Sequence, residues 1–366
     1  MKVAIVHDFV GEYGGATGVL FELLKMFPNS DLYTLYIDRG EKKNKFIIEN
    51  TNKVVCWWID KIPFLTKLPY YRAMALFFSA NFWERLDLSA YDVVISSTFG
   101  FGAGGVITRP DVLHLCYVHT PAKRLYTERS LMSKKYSWGA NVLSFLLKKR
   151  RIWDFVAAQR PDVVVANSVY TKGKVAKFWR RDSVVVYPPI KKLKGKVGEA
   201  ERDFYIYFGR LVFDKGLELI IETFNKNGKK LVVVGDGEMR SYLEVKAKKN
   251  IELVGFVEDR DLFKMFTRAK ACVFASKGED FGMALVEVMS TGLPVIAFDA
   301  GGPREIIDDG KNGVLFNDYS AKGLTQAVER FEKMEIKSKA CVDKANFFTK
   351  QDFRKNILKI IKVKQK

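Results

Sequence analysis

Two glutamates in the second half of the chain are the side chains whose types and spacing are most informative about chemistry. Glu279-Asp-Phe-Gly-Met-Ala-Leu-Val-Glu287 sets its carboxylates eight positions apart, the first in a glycine-bearing loop, the second on the helix expected next. A strand (Ala271–Ala275), loop and helix in that order leave backbone N–H groups unsatisfied at the helix start, a setting that attracts anions. Acids placed there are suited to read something other than phosphate, and sugar hydroxyls are the natural partners. The spacing narrows the chemistry. Were the stretch wholly helical, the two Cα atoms would lie about 12 Å apart. Retaining glycosidases hold their carboxyls about 5–5.5 Å apart and inverting ones roughly 6.5–9.5 Å. The two acids are therefore expected to grip different parts of one long ligand. Ordinary stabilisation of two acids by a helix dipole is the competing account, and the neighbouring motifs weigh against it.

Phe208-Gly-Arg-Leu-Val-Phe-Asp-Lys-Gly216 leaves one predicted strand and enters a helix. Arg210 and Lys215 can both reach one anion, the first as a planar fork and the second as a point charge. A departing diphosphate needs such neutralisation. Gly209 and the Val234-Gly-Asp-Gly-Glu238 stretch, with Gly235, let a ligand approach the backbone. Phe256 and Val257 follow Gly255 at another strand end, where a nucleobase can pack or hydrogen-bond, and Ala300-Gly-Gly-Pro303 makes a further glycine-rich ending. A salt bridge to Asp214 or Glu218, and glycines that merely close turns, would account for each motif alone but not for four on one sheet edge. In the first half, Gly11-Glu-Tyr-Gly-Gly-Ala16, containing Gly15, follows the first strand. It is neither G-x-G-x-x-G nor a Walker loop, yet it can offer N–H groups to a phosphate or let an acceptor approach. Cys116-Tyr-Val-His-Thr-Pro121 places His119 at a strand end before a proline-containing loop.

These loops need a scaffold, and the hydrophobic pattern supplies one. Val3–Val6, Lys53–Trp57, Val93–Ser96, Leu113–Val118, Val163–Ala166 and Val184–Tyr187 read as buried parallel strands, bounded mostly by Gly, Pro, Asp or Ser. Helical patterns over Thr17–Lys25, Tyr70–Leu86, Ser144–Gln159 and Thr171–Trp179 lie between them. Pro188-Pro189 stops the first run. After a polar, charged stretch the alternation restarts at Phe204–Phe208 and continues to Pro294–Phe298, and the end of the chain, from about Lys322 to Val363, reads as helical. The expected architecture is α/β: two doubly wound Rossmann-like domains facing one another across a cleft, with ligands at the strand carboxyl ends. The expected division is an acceptor-side domain over 1–190, a linker over 191–203, a donor-binding domain over 204–345, and a C-terminal helix over 346–366 that packs back toward the first domain.

Length and composition fit this reading. A chain of 366 residues with 48% hydrophobic and 28% charged residues is ample for two cores. Cys56, Cys116, Cys272 and Cys341 are far apart and mostly in core-like runs, as expected of reduced thiols in a cytoplasmic protein. No C-x-x-C or H-x-x-x-H spacing occurs, so no metal site is expected. Asp259-Arg-Asp261 opens a predicted helix, where acids cap and complement the dipole. The net charge of +19 suits phosphorylated substrates, nucleic acid or anionic lipid. Two runs mix that charge with aromatics, Cys56 to Arg72 and Leu143 to Trp153. Both suit an interfacial surface on anionic lipid, while core packing is the competing account.

Gly209-Arg-Leu with Lys215, Gly235-Asp-Gly, Glu279-Asp-Phe-Gly through Glu287, Gly292-Leu-Pro-Val and Gly301-Gly, in that order, resemble the family-4 retaining glycosyltransferases of the GT-B fold. The likeness extends from the Gly14-Gly15 loop to about Gly313. Tyr117-Val-His-Thr-Pro121, Trp153-Asp154, Ala166-Asn-Ser168 and Tyr187-Pro-Pro189, again with Glu279-Asp-Phe-Gly282, look most like the bacterial branch that includes GDP-mannose-dependent mannosyltransferases. The resemblance implies transfer of a sugar, mannose favoured, from a nucleoside diphosphate donor (GDP-mannose, or a UDP-sugar) to a glycan or lipid-linked acceptor, with no cofactor and no obligatory metal. It implies that Arg210 and Lys215 bind the diphosphate, Glu287 the ribose and Glu279 the transferred sugar. The amides around Phe281, Gly282 and Met283 would face sugar and phosphate, His119 would contact the sugar, and the Gly14-Gly15 loop would lie between acceptor and phosphate. Thr17 stands where the family often has an acid, which bears on acceptor recognition. The expected setting, from the cysteine usage and the two aromatic and basic runs, is the cytoplasm, with contact at the inner face of a membrane as an option. Two rivals are a GT-B sugar-nucleotide epimerase and a nucleic-acid-binding protein, although no recognised nucleic-acid motif is present.

Overall fold

The computed structural model describes residues 1–11, 14–41, 44–57, 71–127, 140–193 and 202–364. The basic and aromatic run from Cys56 to Arg72 therefore lies almost wholly outside the described residues. So does most of the 191–203 connection.

The chain forms two compact units, Met1–Pro189 together with Phe353–Lys366, and Ile190–Asp352. The first contains a parallel sheet of β1 (Val3–His7), β2 (Asp31–Thr34), β3 (Val54–Cys56), β4 (Val93–Thr98), β5 (Leu113–Val118), β6 (Val163–Ala166) and β7 (Val184–Val185), in the order β3-β2-β1-β4-β5-β6-β7. Strand side chains alternate between the two faces, and the core divides accordingly. Val3 and Ile5 pack with Val93, Ile95, Leu115 and Val165 against Leu20, Leu23 and Leu24 of the Gly15–Met26 helix. The same layer receives Phe353, Ile357 and Ile361 of the Lys350–Lys364 helix, one turn apart on one face. Ala4 and Val6 point the other way, onto a cluster with Val94, Trp57 and Trp83. Each fully buried Val, Leu or Ile is worth about 1.5–3 kcal/mol over its exposed state.

The second unit repeats the plan with β8 (Phe204–Phe208), β9 (Leu231–Val234), β10 (Ile251–Gly255), β11 (Ala269–Phe274), β12 (Val295–Phe298) and β13 (Gly313–Phe316). Their order is β10-β9-β8-β11-β12-β13, all parallel. In both sheets the order reverses beside the unit's first strand, between β1 and β4 and between β8 and β11. Such reversal points are where open α/β sheets bind ligands.

Several expected elements differ in extent. β7 spans only two residues, because Pro188 and Pro189 follow closely and proline supplies no ladder N–H. The helix expected over 144–159 starts earlier and spans Ala140–Ala157. The closing helical stretch is three helices, Ala321–Glu332, Ser338–Ala345 and Lys350–Lys364. Thr349 marks the last start, its hydroxyl accepting from the Asp352 N–H at 3.1 Å. β2 and β13, four residues each and opening on an acid and a glycine, and the five-residue Lys45–Glu49 helix are elements the hydrophobic pattern does not reveal. All four cysteines are free, and burial pushes the thiols of Cys116, Cys272 and Cys341 up to about 12.

Candidate active site

In the second unit the carboxyl ends of β8, β9 and β10 are bound to one another through glycine backbone. The Gly209 N–H donates to the Val234 carbonyl at 3.1 Å, and the Gly235 N–H to the Gly255 carbonyl at 2.8 Å. Gly235 has φ +133°, and a Cβ there would stand 1.9 Å from the Gly209 carbonyl oxygen, so any other residue would force the two loops apart. The result is a glycine-lined edge leading from Gly209 to Phe256, whose ring is exposed, and Val257, which is half-buried.

Lys215 closes a single 3₁₀ turn, Phe213–Lys215, and Gly216 follows at φ +71°. A Cβ on Gly216 would lie 2.1 Å from the Ala275 carbonyl oxygen, at the end of β11. This close approach carries Lys215 across to the next strand's loop, where its Nζ donates to Glu279 Oε2 at 2.6 Å. Both side chains are less than one-fifth exposed, 17% and 16%. The Ser276 hydroxyl, donating to the Asp214 carbonyl at 2.7 Å, ties the same two loops. Arg210 is exposed, and its guanidinium makes no hydrogen bond or ion pair with the described residues. Its carbonyl accepts from the buried Tyr207 hydroxyl at 2.9 Å, which fixes the backbone that presents it.

Phe281 is buried and meets Phe348 edge-on with ring centres 5.3 Å apart. Gly302 donates to the Glu279 carbonyl at 2.9 Å and holds that loop from the other side. Gly282, at φ +102°, is the N-cap of the Met283–Met289 helix. Glu287 stands half-buried on that helix. Burial pushes its carboxyl up to about 7, with Asp259 adding to the rise and Lys191 and Lys350 opposing it. Lys191 is itself ion-paired with Asp259, in the first turn of the Asp259–Arg268 helix. The structure thus joins Lys215 to Glu279, and sets Glu287 among a different group of charges. Among the described residues no group of three or more His, Cys, Asp or Glu is arranged to hold a metal ion.

In the first unit His119 follows β5 directly and is nearly buried. Its Nε2 lies 2.9 Å from Ser97 Oγ, and the same hydroxyl lies 3.1 Å from Nδ1 of His7 at the end of β1. Burial lowers both imidazoles to about 3, His7 also through the charge His119 would carry. Both are therefore neutral at physiological pH. Beside them the buried carboxylate of Asp8 accepts from the N–H groups of Phe99 (2.6 Å), Phe101 (2.9 Å) and Ala103 (2.8 Å) and from the Thr98 hydroxyl. Burial raises its pKa against these hydrogen bonds. Gly15 opens the Gly15–Met26 helix, after Gly14, whose carbonyl accepts from the Gly18 N–H at 2.9 Å. Trp153 and Asp154 belong to packing: Trp153 donates to Glu84 at 2.7 Å, and Asp154 accepts from Trp179 and Tyr126, each at 2.8 Å.

Sequence reasoning did not single out His7, Asp8 or Ser97. The signal was a histidine and an acid ending an apolar strand, Val-Ala-Ile-Val-His-Asp, where buried polar groups must find partners.

A family model described as Glycosyltransferase Family 4 matches residues 13–191, and one described as Glycosyl transferases group 1 matches residues 189–346. An uncharacterized glycosyltransferase of Methanocaldococcus jannaschii is 26% identical over 229 residues, covering 61% of this chain and 65% of the relative. The chain thus spans just under two thirds of that relative's length. The crystal structure of Alr3699/HepE from Anabaena in complex with UDP and glucose superposes with a TM-score of 0.71 at 18% identity, covering 99% of each chain. The lipopolysaccharide outer core galactosyltransferase WaaB superposes with a TM-score of 0.66 at 17% identity, covering all of both chains. The two parallel-sheet units are Rossmann-like domains of the GT-B class to which these neighbours belong.

Proposed function

We propose that this chain, which belongs to the family-4 type of glycosyltransferases, transfers a sugar from a nucleoside diphosphate donor to a glycan or lipid-linked acceptor with retention of anomeric configuration. The observation that carries this reading is the Lys215–Glu279 ion pair, at the point where the second sheet reverses its order. An ammonium has three donors, and the pair uses one, so Lys215 can meet a diphosphate while still orienting the acid that reads sugar hydroxyls. Arg210, presented by Tyr207 and exposed, is assigned the other side of the diphosphate. As the bond from the anomeric carbon to the phosphate oxygen breaks, charge grows on that oxygen, and two fixed cations lower the barrier without moving. Glu287 is assigned the ribose hydroxyls, and the edge ending in Phe256 and Val257 the base. The backbone at Gly209, Gly235, Phe281, Gly282 and Met283 lets the donor come close.

On the acceptor side, His119 is assigned a contact with the sugar. Being neutral, it serves as a hydrogen-bonding group and not as a cation. The Gly14-Gly15 loop is assigned a place between the acceptor and the donor phosphate, with Gly15 on the donor. The N-terminal motifs favour mannose carried as GDP-mannose. The HepE complex contains UDP, so a UDP-hexose is the alternative donor.

The test is calorimetric titration with GDP, UDP, GDP-mannose and UDP-hexoses, followed by product analysis with and without glycan acceptors. A diphosphate that binds the wild type, and binds Arg210→Ala and Lys215→Ala at least tenfold more weakly, is expected. Glu279→Ala should damage transfer more than nucleotide binding, whereas Glu287→Ala should weaken both. Absence of nucleotide binding, or an epimerised donor sugar formed without acceptor, would overturn the reading.

A further inference from the structure

The Ala140–Ala157 helix of the first unit is amphipathic in an unusual sense, because both of its sides carry apolar residues. Its inner side is ordinary core: Leu147 packs with Ala122 and Leu125, and Arg150, 4% exposed, stacks on Trp153 with its guanidinium 4.1 Å from the ring centre. Its outer side carries Phe145, Ile152 and Val156, which are 55, 57 and 49% exposed, together with Leu146 and Phe155. Positions 145, 149, 152 and 156 follow the i, i+4, i+7, i+11 spacing of a single helical stripe. The one polar member of that stripe is Lys149, whose Nζ lies 4.7 Å over the Phe145 ring. Lys148 is exposed beside it, and Arg151 half-exposed. The helix contains one acid, Asp154, which is buried and held by Tyr126 and Trp179. The outer side therefore presents apolar and cationic groups with the one hydroxyl of Ser144, and no exposed acid. Phe78, also exposed, lies on the Tyr71–Glu84 helix, whose Phe77 packs against Leu147 and its neighbours.

Water solvates neither Phe145 nor Ile152 favourably, and a folded protein seldom leaves such a stripe uncovered without use. We infer that the outer side of this helix is a docking surface for an anionic lipid bilayer, lying in the headgroup region with Phe145, Ile152 and Val156 in the acyl boundary and Lys148, Lys149 and Arg151 among the phosphates. Charge decides between occupants. A second copy of the chain docked through the same face would bring Lys148, Lys149 and Arg151 against their own counterparts. An anionic headgroup layer answers both components at once. The helix lies on the membrane and does not cross it: no helix among the described residues is long and apolar enough to span a bilayer. The net charge of +19 acts in the same direction at longer range.

The experiment is co-sedimentation of the full chain with vesicles at low salt, with no donor or acceptor present, so its outcome is separate from that of the transferase reading. One vesicle set is pure phosphatidylcholine, and the other contains equal parts phosphatidylglycerol. Binding to the anionic set alone is expected, weakening as salt rises. Phe145→Ser with Ile152→Ser should lower the partition coefficient at least tenfold. Lys148→Gln with Lys149→Gln should lower it by about twenty-five-fold, roughly fivefold for each lysine. These side chains are exposed, so thermal melts of the variants should match the wild type. Lys248→Gln with Lys249→Gln, exposed in the second unit, should change little. Equal binding to both vesicle sets, no binding to either, or equal loss in the second-unit control would overturn the inference. So would a dimer in vesicle-free solution that the Phe145→Ser, Ile152→Ser variant abolishes, since that assigns the face to a second copy.

Discussion

The two units build a site at the same place in the same topology, beside the first strand of a parallel sheet, and equip it with opposite electrostatics. At β8 and β11 the second unit sets an exposed guanidinium and a Lys–Glu ion pair on glycine-rich backbone. At β1, β4 and β5 the first unit sets two neutral imidazoles on one serine hydroxyl, and turns its acid, Asp8, inward to brace a loop. A charged site suits a diphosphate, whose charge must be met in the ground state and again as it departs. A neutral, nearly buried one suits sugar hydroxyls, where an imidazolium would cost desolvation and would attract the wrong ligand. On the proposed reading, one scaffold serves two tasks through which polar groups it leaves charged.

The comparison can be broken most severely at its charged end. Lys215→Ala or Arg210→Ala should lower kcat by about 10²–10³, as for the loss of one preorganised donor. The melting curve should change little for the exposed Arg210 and fall for Lys215, whose loss strips a largely buried carboxylate of its cation. Near-normal turnover in either variant would remove the second unit's claim to the leaving group. A double-mutant cycle of Lys215→Ala and Glu279→Ala should be strongly non-additive, because each side chain has the other as a partner at 2.6 Å.

A smaller effect is expected at the neutral end. Ser97→Ala removes the hydroxyl that both imidazoles share, leaving two buried rings to reorient. A loss of about tenfold in kcat, the equivalent of one hydrogen bond, should accompany unchanged nucleotide affinity. Weakened nucleotide binding would instead place the serine's influence in the wrong unit.

No larger than the serine effect is the pH response, and its sign is informative. Ribose hydroxyls donate to an ionised carboxylate, and Glu287 titrates near 7, so donor binding should tighten by about tenfold between pH 6 and pH 8. Glu287→Gln should abolish that slope. His7 and His119, lowered to about 3, should contribute no inflection to the rate between pH 5 and 8. A rate inflection near 6 that vanishes in a His119 variant would show a charged imidazole and erase the contrast between the units.

Much of this architecture was legible in sequence because period and punctuation are local. Val3–Val6, Leu113–Val118 and Val163–Ala166 are apolar runs too short for helices, and the glycines after β8, β9 and β10 mark backbone that side chains would obstruct. Short elements escaped: Asp31–Thr34 begins with an acid and Gly313–Phe316 with a glycine, so neither resembles a buried strand until its neighbour in the sheet is known. At the candidate site the residue types could be named from their motifs, but their contacts could not. Lys215 was weighed as a partner of Asp214 or Glu218, its neighbours in sequence, and instead pairs with Glu279, sixty-four positions away. His7 and Ser97 are ninety positions apart, and nothing local in the sequence links them.

Alternation of strand and helix, the glycine-rich strand ends, the basic excess and the two acids of the Glu279–Glu287 stretch are properties of the amino-acid sequence itself, since each depends on near neighbours along the chain. Which cation meets which acid, which histidines share a hydroxyl, and which apolar stripe of a helix remains uncovered were decided only by the tertiary structure. Parallel strands bring together residues separated by whole helices, and contact strength falls with distance in space, whatever the separation in sequence.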